Sequence, residues 1–280
     1  MNKFAQSTGD HSAAIWYDAP AGGNPVDTPG PGDDAIANGE TVAIVADWNP
    51  DNLWNDDTGG ATAGGKFQTS GAVTVTLGDG SGTATAGSVA VECLRVNAGG
   101  IVNGNGTGGS AGSAFGIRAD YSGIVNGNGT PGSVGGAHGI YVIYGAIVNG
   151  NGTGNNVSYA YGIQAANGAI VNGNGTGGSV SGARGITVSG GGIVNGSFTG
   201  GSAAGAVGID ARYGSKVRCL LATGTVAGAY GVAAYSGSDV RIAAESGDYP
   251  SSIDATCRTV YEPLDWLFNV PSFSRMRLGM

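Results

Sequence analysis

From residue 101 onward this chain repeats itself, and the repeat constrains its fold more than any other feature. The stretch IVNGNGTGGSAGSAFGIRADYSG (101–123) recurs from Ile124, Ile147, Ile170 and Ile193 at a step of 23 residues, without insertion or deletion. The phase holds at Lys216 and Asp239, where the wording decays. A fixed period of this length means stacked structural units, each burying its apolar face against its neighbours.

Laid under one another, the copies form columns. The second position is Val102, Val125, Val148, Val171, Val194, Val217 and Val240. Further columns are Ala111, Val134, Val157, Val180, Ala203 and Val226, then Ala114, Ala137, Ala160, Ala183, Ala206 and Ala229. Another is Ile117, Ile140, Ile163, Ile186, Ile209 and Val232, with Ala119, Val142, Ala165, Val188, Ala211 and Ala234 two residues on. Small and β-branched residues in period-2 runs are strand signals. The Gly, Asn, Ser and Thr clusters between them are turns. Helix is disfavoured, because each glycine costs about 1 kcal/mol relative to alanine there. The expectation is an all-β chain: a single-stranded parallel β-helix (solenoid) with three short strands per coil and seven to eight regular coils. The crossover rule makes it right-handed. Seven coils at ~4.8 Å each give a column on the order of 35 Å.

Composition agrees with one ordered domain. The chain has 57 glycines and 9 prolines in 280 residues, yet 41% of its residues are hydrophobic and the period is strict. Only 11% are charged and the net charge is −8, which suits neither nucleic acid nor an anionic membrane surface. Cys93, Cys219 and Cys257 have no CxxC spacing and read as buried small hydrophobes. The opening MNKFAQSTGDHSAAIWYD has no apolar h-region, and no run reaches 18 apolar residues, so neither a signal peptide nor membrane insertion is expected.

Four regions follow. Residues 1–38 form a Pro-, Gly- and Asp-rich leader that is not expected to make a regular coil; its Ile15, Trp16 and Tyr17 either pack on the first coil or anchor a partner. Residues 39–100 are irregular early coils, with the solenoid expected to have begun by about residue 71. Within them Asp51, Asn52, Asn55, Asp56 and Asp57 read as a polar turn or as oxygen donors for a hard cation, although the EF-hand spacing is absent. Residues 101–250 are the regular repeats. Residues 251–280, which hold Trp266, Phe268 and Phe273, are a cap over the open end or a docking tail.

Three outward features bear on function. Ile101, Ile124, Ile147, Ile170 and Ile193 neighbour the inward valines and so form an outward apolar stripe about 20 Å long. A stripe of that kind suits packing of three columns about a common axis, hence a homotrimer. Asn103, Asn126, Asn149, Asn172 and Asn195, with Asn105, Asn128, Asn151 and Asn174, can bond from coil to coil, and Asn beside Gly tolerates positive φ at a corner. Rows of Asn and Thr also suggest ice binding, against which the intervening glycines are expected to break up a flat face. Finally, Tyr121, Tyr141, Tyr144, Tyr161 and Arg184 lie among variable positions, where a glycan- or protein-binding face and an unconstrained solvent face look alike.

Catalytic signals are weak. Glycosidase chemistry needs two carboxylates about 5–9.5 Å apart. Asp120 and Asp210 lie nearly four coils apart, ~19 Å at the usual strand spacing. Asp239, Glu245 and Asp248 share the decayed last coil without a nearby His. The GGSAG of 108–112 falls in a repeat turn with no helix after it, so the GxSxG match is read as chance. No catalytic residues, cofactor or resident metal are expected.

The repeat VNGNGTGGSxxxAxGI, with its IVNG turns, resembles the parallel β-helix of bacteriophage tail spikes, tail fibres and head fibres. The opening AIWYDAPAGGNPVDTPGPGDDAIANGETVAIVAD is similar to leaders that precede such helices in phage fibres and bacterial surface proteins. The resemblance spans residues 13–250 and is one of style and period. It implies a virion structural protein at the phage surface that trimerises, contacts other virion proteins and binds a host surface glycan. Some such proteins cleave the glycan, but their acidic cleft has no match here. A polysaccharide depolymerase and an ice-binding or cell-surface adhesion module are the alternative readings.

Overall fold

The computed structural model describes residues 1–13, 16–19, 23–55, 65–87, 92–97, 99–111, 114–224, 226–243, 245–246, 251–253 and 255–261. Among these there is strand, turn and bend but no helix. The first regular coil has three strands, Ile101–Asn103, Asn105–Thr107 and Phe115–Ala119. Each lies parallel to its counterpart one repeat later. Isoleucine pairs with isoleucine from Ile101 to Ile193 and valine with valine from Val102 to Val240. The long third strands stack in sequence order into an 11-stranded sheet, with Ile117, Ile140, Ile163, Ile186, Ile209 and Val232 in one line. This is a parallel β-solenoid of about 8 turns.

The core follows from strand alternation. The valine column and the isoleucines of the long strands face inward along one continuous apolar axis, and the Ala114 column is buried as well. In the Asn-Gly-Thr strands the inward residue is glycine, and the space leaves no choice. A Cβ on Gly106 would lie 2.4 Å from the carbonyl oxygen of Gly139, and one on Gly152 would lie 2.3 Å from that of Gly185. Backbone meets backbone across the column there. The coil at 193 departs from this, since Phe198 occupies the register position of Gly175, is fully buried, and is accompanied by a shift in pairing. The Ala111 column lies on a half-buried bend rather than on a strand.

The stack begins earlier than the wording of the repeat suggests. Asn2 pairs in parallel with Asp34, Asp34 with Asn52, Leu53 with Ala84 and Thr83 with Asn105. The second sheet runs from Gly9 to Val42, Phe67, Leu94 and Ile117. Parallel pairing therefore starts within the leader. Partners on adjoining early coils lie 18 to 33 residues apart, as in the bonds joining Asn52 to Asp34 and Asn38 to Ala5. Register governs stacking, and surface connections lengthen at little cost.

The leader also covers the first edge. Trp16 and Tyr17 pair antiparallel with both Phe4–Ala5 and Pro25–Val26. Trp16, one of the candidate anchors, is 1% exposed; its indole N–H donates to the His11 carbonyl and its ring lies against Trp48. It is spent on packing the end of the column, whereas Tyr17 is half-buried. Asp51, Asn52 and Asn55 accept backbone N–H groups of Gly32, Thr83 and Gly87, so their oxygens stitch coils together. Asp56, Asp57, Trp266, Phe268 and Phe273 lie outside the described residues.

Candidate binding face

The two sides of each coil use their outward groups differently. On the IVNG side, Asn126 donates through Nδ2 to Asn103 Oδ1 at 2.9 Å, and Asn149, Asn172 and Asn195 continue the ladder at 2.8–3.0 Å. In the next column Asn105, Asn128, Asn151 and Asn174 each accept the backbone N–H of the residue below at 2.8–2.9 Å. Neither column sits at positive φ, so the expected left-handed corner is not here. The isoleucine stripe does face outward, half-buried between successive coils. The glycines do not interrupt the neighbouring polar face. They point inward, leaving Asn105, Thr107 and their counterparts as two adjacent outward columns without charge.

The long-strand side carries the aromatic and charged groups. Phe115, His138 and Tyr161 stand one above another, with centroids 5.4 and 4.7 Å apart, and the Arg184 guanidinium lies 5.3 Å from the Tyr161 ring. Tyr141 stacks on Phe115 at 5.0 Å and lies under Arg118. Burial pushes His138 down to about 4, and its Nδ1 accepts the Tyr161 backbone N–H, so the ring is neutral near pH 7. Burial raises Tyr141 and Tyr161 above the ordinary phenol value. The carboxylates here are engaged: Asp210 accepts two bonds from Arg212 at 2.8 Å and pairs with Arg184, and Arg118 grips Asp120 at 3.1 and 3.2 Å. Among the described residues no group of three or more His, Cys, Asp or Glu stands together to hold a metal. A groove of about 610 Å³ runs beside Asn155, Ser179 and Ser202, and its glycines answer to stacking; a Cβ on Gly178 would lie 1.9 Å from the Asn155 carbonyl.

The left-handed corner lies just after the long strand. Tyr121, Tyr144, Asn167, Gly190, Tyr213 and Ser236 occupy one column at φ 45–59°, and the residue after each is also left-handed. Two consecutive positive-φ residues are what Asn-Gly pairs favour, as at Asn167–Gly168, and a bulky side chain is out of place there. Tyr121, Tyr144 and Tyr213 are nonetheless 60%, 47% and 64% exposed. At the opposite corner Tyr159 (φ 59°) takes the place that Gly136, Gly182, Gly205 and Gly228 hold in other coils, is 63% exposed, and has Arg184 over its ring. Tyr213 was legible as an aromatic near Tyr121 and Tyr144, whereas Tyr159 and the exposed Tyr235 were missed from sequence. For Tyr159 the signal was a tyrosine in a column where Gly136, Gly182, Gly205 and Gly228 recur.

The five residues singled out from sequence thus divide. Tyr141, Tyr161 and Arg184 are half-buried and paired with each other's neighbours, while Tyr121 and Tyr144 stand at the exposed corner, stacked 5.0 Å apart at 14°. No protein-family model, curated protein or solved structure matches the chain. The functional reading rests on the column itself.

Proposed function

We propose that this chain is a non-enzymatic structural element of a bacteriophage particle, a short spike, fibre or surface decoration. Three copies stand side by side, other virion proteins hold one end, and the long-strand face meets a glycan of the host surface. The observation that carries the reading is the in-register isoleucine stripe on a column stiffened by side-chain ladders. Apolar groups repeated at the coil spacing along a rigid rod favour lateral association of like columns. Native mass measurement is expected to give a trimer, and Ile147→Lys to shift it to monomer. A wild-type chain that stays monomeric ends the trimer reading. Release of oligosaccharide from host capsule or lipopolysaccharide by the purified protein would favour a depolymerase instead. A second reading draws on the uncharged Asn-Thr columns left flat by the inward glycines, which suit ice or another periodic surface. Thermal hysteresis in solution decides it.

A further inference from the structure

We infer that the left-handed corner after the long strand is a saccharide-binding notch, walled by Tyr144 and Tyr213 and floored by Asn167, Gly168, Gly190 and Gly191. The inference rests on the reading of this side as the surface-contacting one.

Strain supplies the first argument. In one column the chain uses Asn167, Gly190 and Ser236 at the same left-handed φ at which it also places tyrosines. The Tyr213 carbonyl accepts the Gly191 N–H at 3.2 Å, but among the described residues its side chain makes no ring contact or hydrogen bond, and it is 64% exposed. A bulky side chain held at positive φ with no internal partner of its own points to a role outside folding.

Shape supplies the second. Tyr121 and Tyr144 come from consecutive coils and stack nearly parallel, so the free face of Tyr144 looks along the column axis toward the coils of Asn167 and Gly190. Those coils carry no bulk at this corner, and a Cβ added to Gly168 or Gly191 would meet nothing within 4 Å. Tyr213 closes the far side three coils on, ~14 Å away at the usual strand spacing. The gap admits flat rings stacked on the tyrosine walls.

Chemistry supplies the third. Among the described residues the Asn167 amide makes no hydrogen bond, and it stands exposed on the floor, with the half-buried Ser189 beside the notch. Aromatic faces with a few polar groups suit a ligand that has both an apolar ring face and hydroxyls, which is a pyranose. A protein partner would call for a larger apolar centre than two rings and a glycine floor.

The test exploits the strain. Tyr144→Asn and Tyr213→Asn recreate the Asn-Gly pair already present at Asn167–Gly168. Saturation-transfer NMR with maltohexaose, chitotetraose and hexagalacturonate is expected to show transfer to ring protons of at least one of them in the wild type. Both variants are expected to lose that transfer at least tenfold, and Tyr213→Asn to melt about 2–4 °C higher because its backbone strain is relieved. No transfer in the wild type, undiminished transfer in the variants, or a lower melting temperature for Tyr213→Asn would each overturn the inference. A trimer that shows no transfer sinks the notch alone, whereas a monomer that binds sinks the trimer and keeps the notch.

Discussion

Within a single coil, the opening IVNGNGT segment and the long strand after it follow opposite rules. The opening segment hardly varies between copies, and nearly every group on it is used by the next coil: valine stacks on valine, amide bonds to amide, and inward glycine makes room for backbone. The long strand keeps its inward isoleucine and alanine, but its outward positions change at every coil from Phe115 to His138, Tyr161 and Arg184. The lesson is a division of labour. One side holds register tightly enough that the other can vary, and groups that vary on a rigid support are the ones available to a partner.

The sharpest way to break this comparison is to disturb the tight side. Gly152→Val places a side chain where a Cβ would already lie 2.3 Å from the Gly185 carbonyl oxygen, so the strands must separate. A loss of about 3 kcal/mol or more is expected, read by chemical denaturation, with failure to fold as the extreme. A substitution tolerated within 1 kcal/mol would show that the column is not closed at its glycines.

The variable side contains a buried histidine, and its effect is next in size. His138 titrates near 4 in the folded chain because burial between Phe115 and Tyr161 disfavours its charge. An unfolded histidine titrates near 6.5, so between these values the unfolded state binds more protons. The contribution is complete above about pH 6.5 and is lost as pH falls toward 4, about 3 kcal/mol in all. His138→Phe is expected to remove that part of the acid sensitivity, read as a shallower fall of stability between pH 7 and pH 4.5. An unchanged slope would place His138 in a wetter setting than its 5% exposure implies.

Of the architecture, the part readable from sequence was the part in which each residue sees copies of itself. The period, the valine and isoleucine columns and the Asn103 ladder all follow from identical residues at identical steps. Two features escaped because they depend on where the backbone turns. The Asn103 and Asn105 columns look like left-handed corners in sequence, yet the left-handed pair belongs to Tyr121–Ser122 and Tyr144–Gly145, which lack the usual Asn. The inward role of Gly106 was equally hidden, since alternation places it only once the flanking Asn105 and Thr107 are known to face out together. The pairing within the leader escaped for a third reason: connections there and in the early coils differ in length, which masks a register that the strands keep. Tyr144 and Tyr213 were legible as aromatics but not as strained ones, whereas Tyr159 could have been found by asking which residue interrupts the run of Gly136, Gly182, Gly205 and Gly228.

The asparagine ladder ranks third. Asn149→Ala removes a donor from Asn126 Oδ1 and an acceptor from Asn172 Nδ2. Both orphaned groups are near water, so the loss is expected to be about 1 kcal/mol, read by thermal or urea unfolding. A larger loss would mean that the ladder acts as a cooperative chain, since breaking one rung would then weaken its neighbours.

The smallest effect is expected on the variable side. Gln164 faces outward on the long strand between Tyr141 and Thr187, and among the described residues its side chain makes no hydrogen bond. Gln164→Ala should change stability by no more than about 0.5 kcal/mol, because register there is kept by Ile163 and Ala165 on the inner face. Measured beside Asn149→Ala in one urea series, the pair isolates the difference between the two sides of a coil. If Gln164→Ala lost as much as the broken ladder rung, the long strand would also depend on its outward residues for register, and its variation from coil to coil would no longer mark it as the side free to meet a partner.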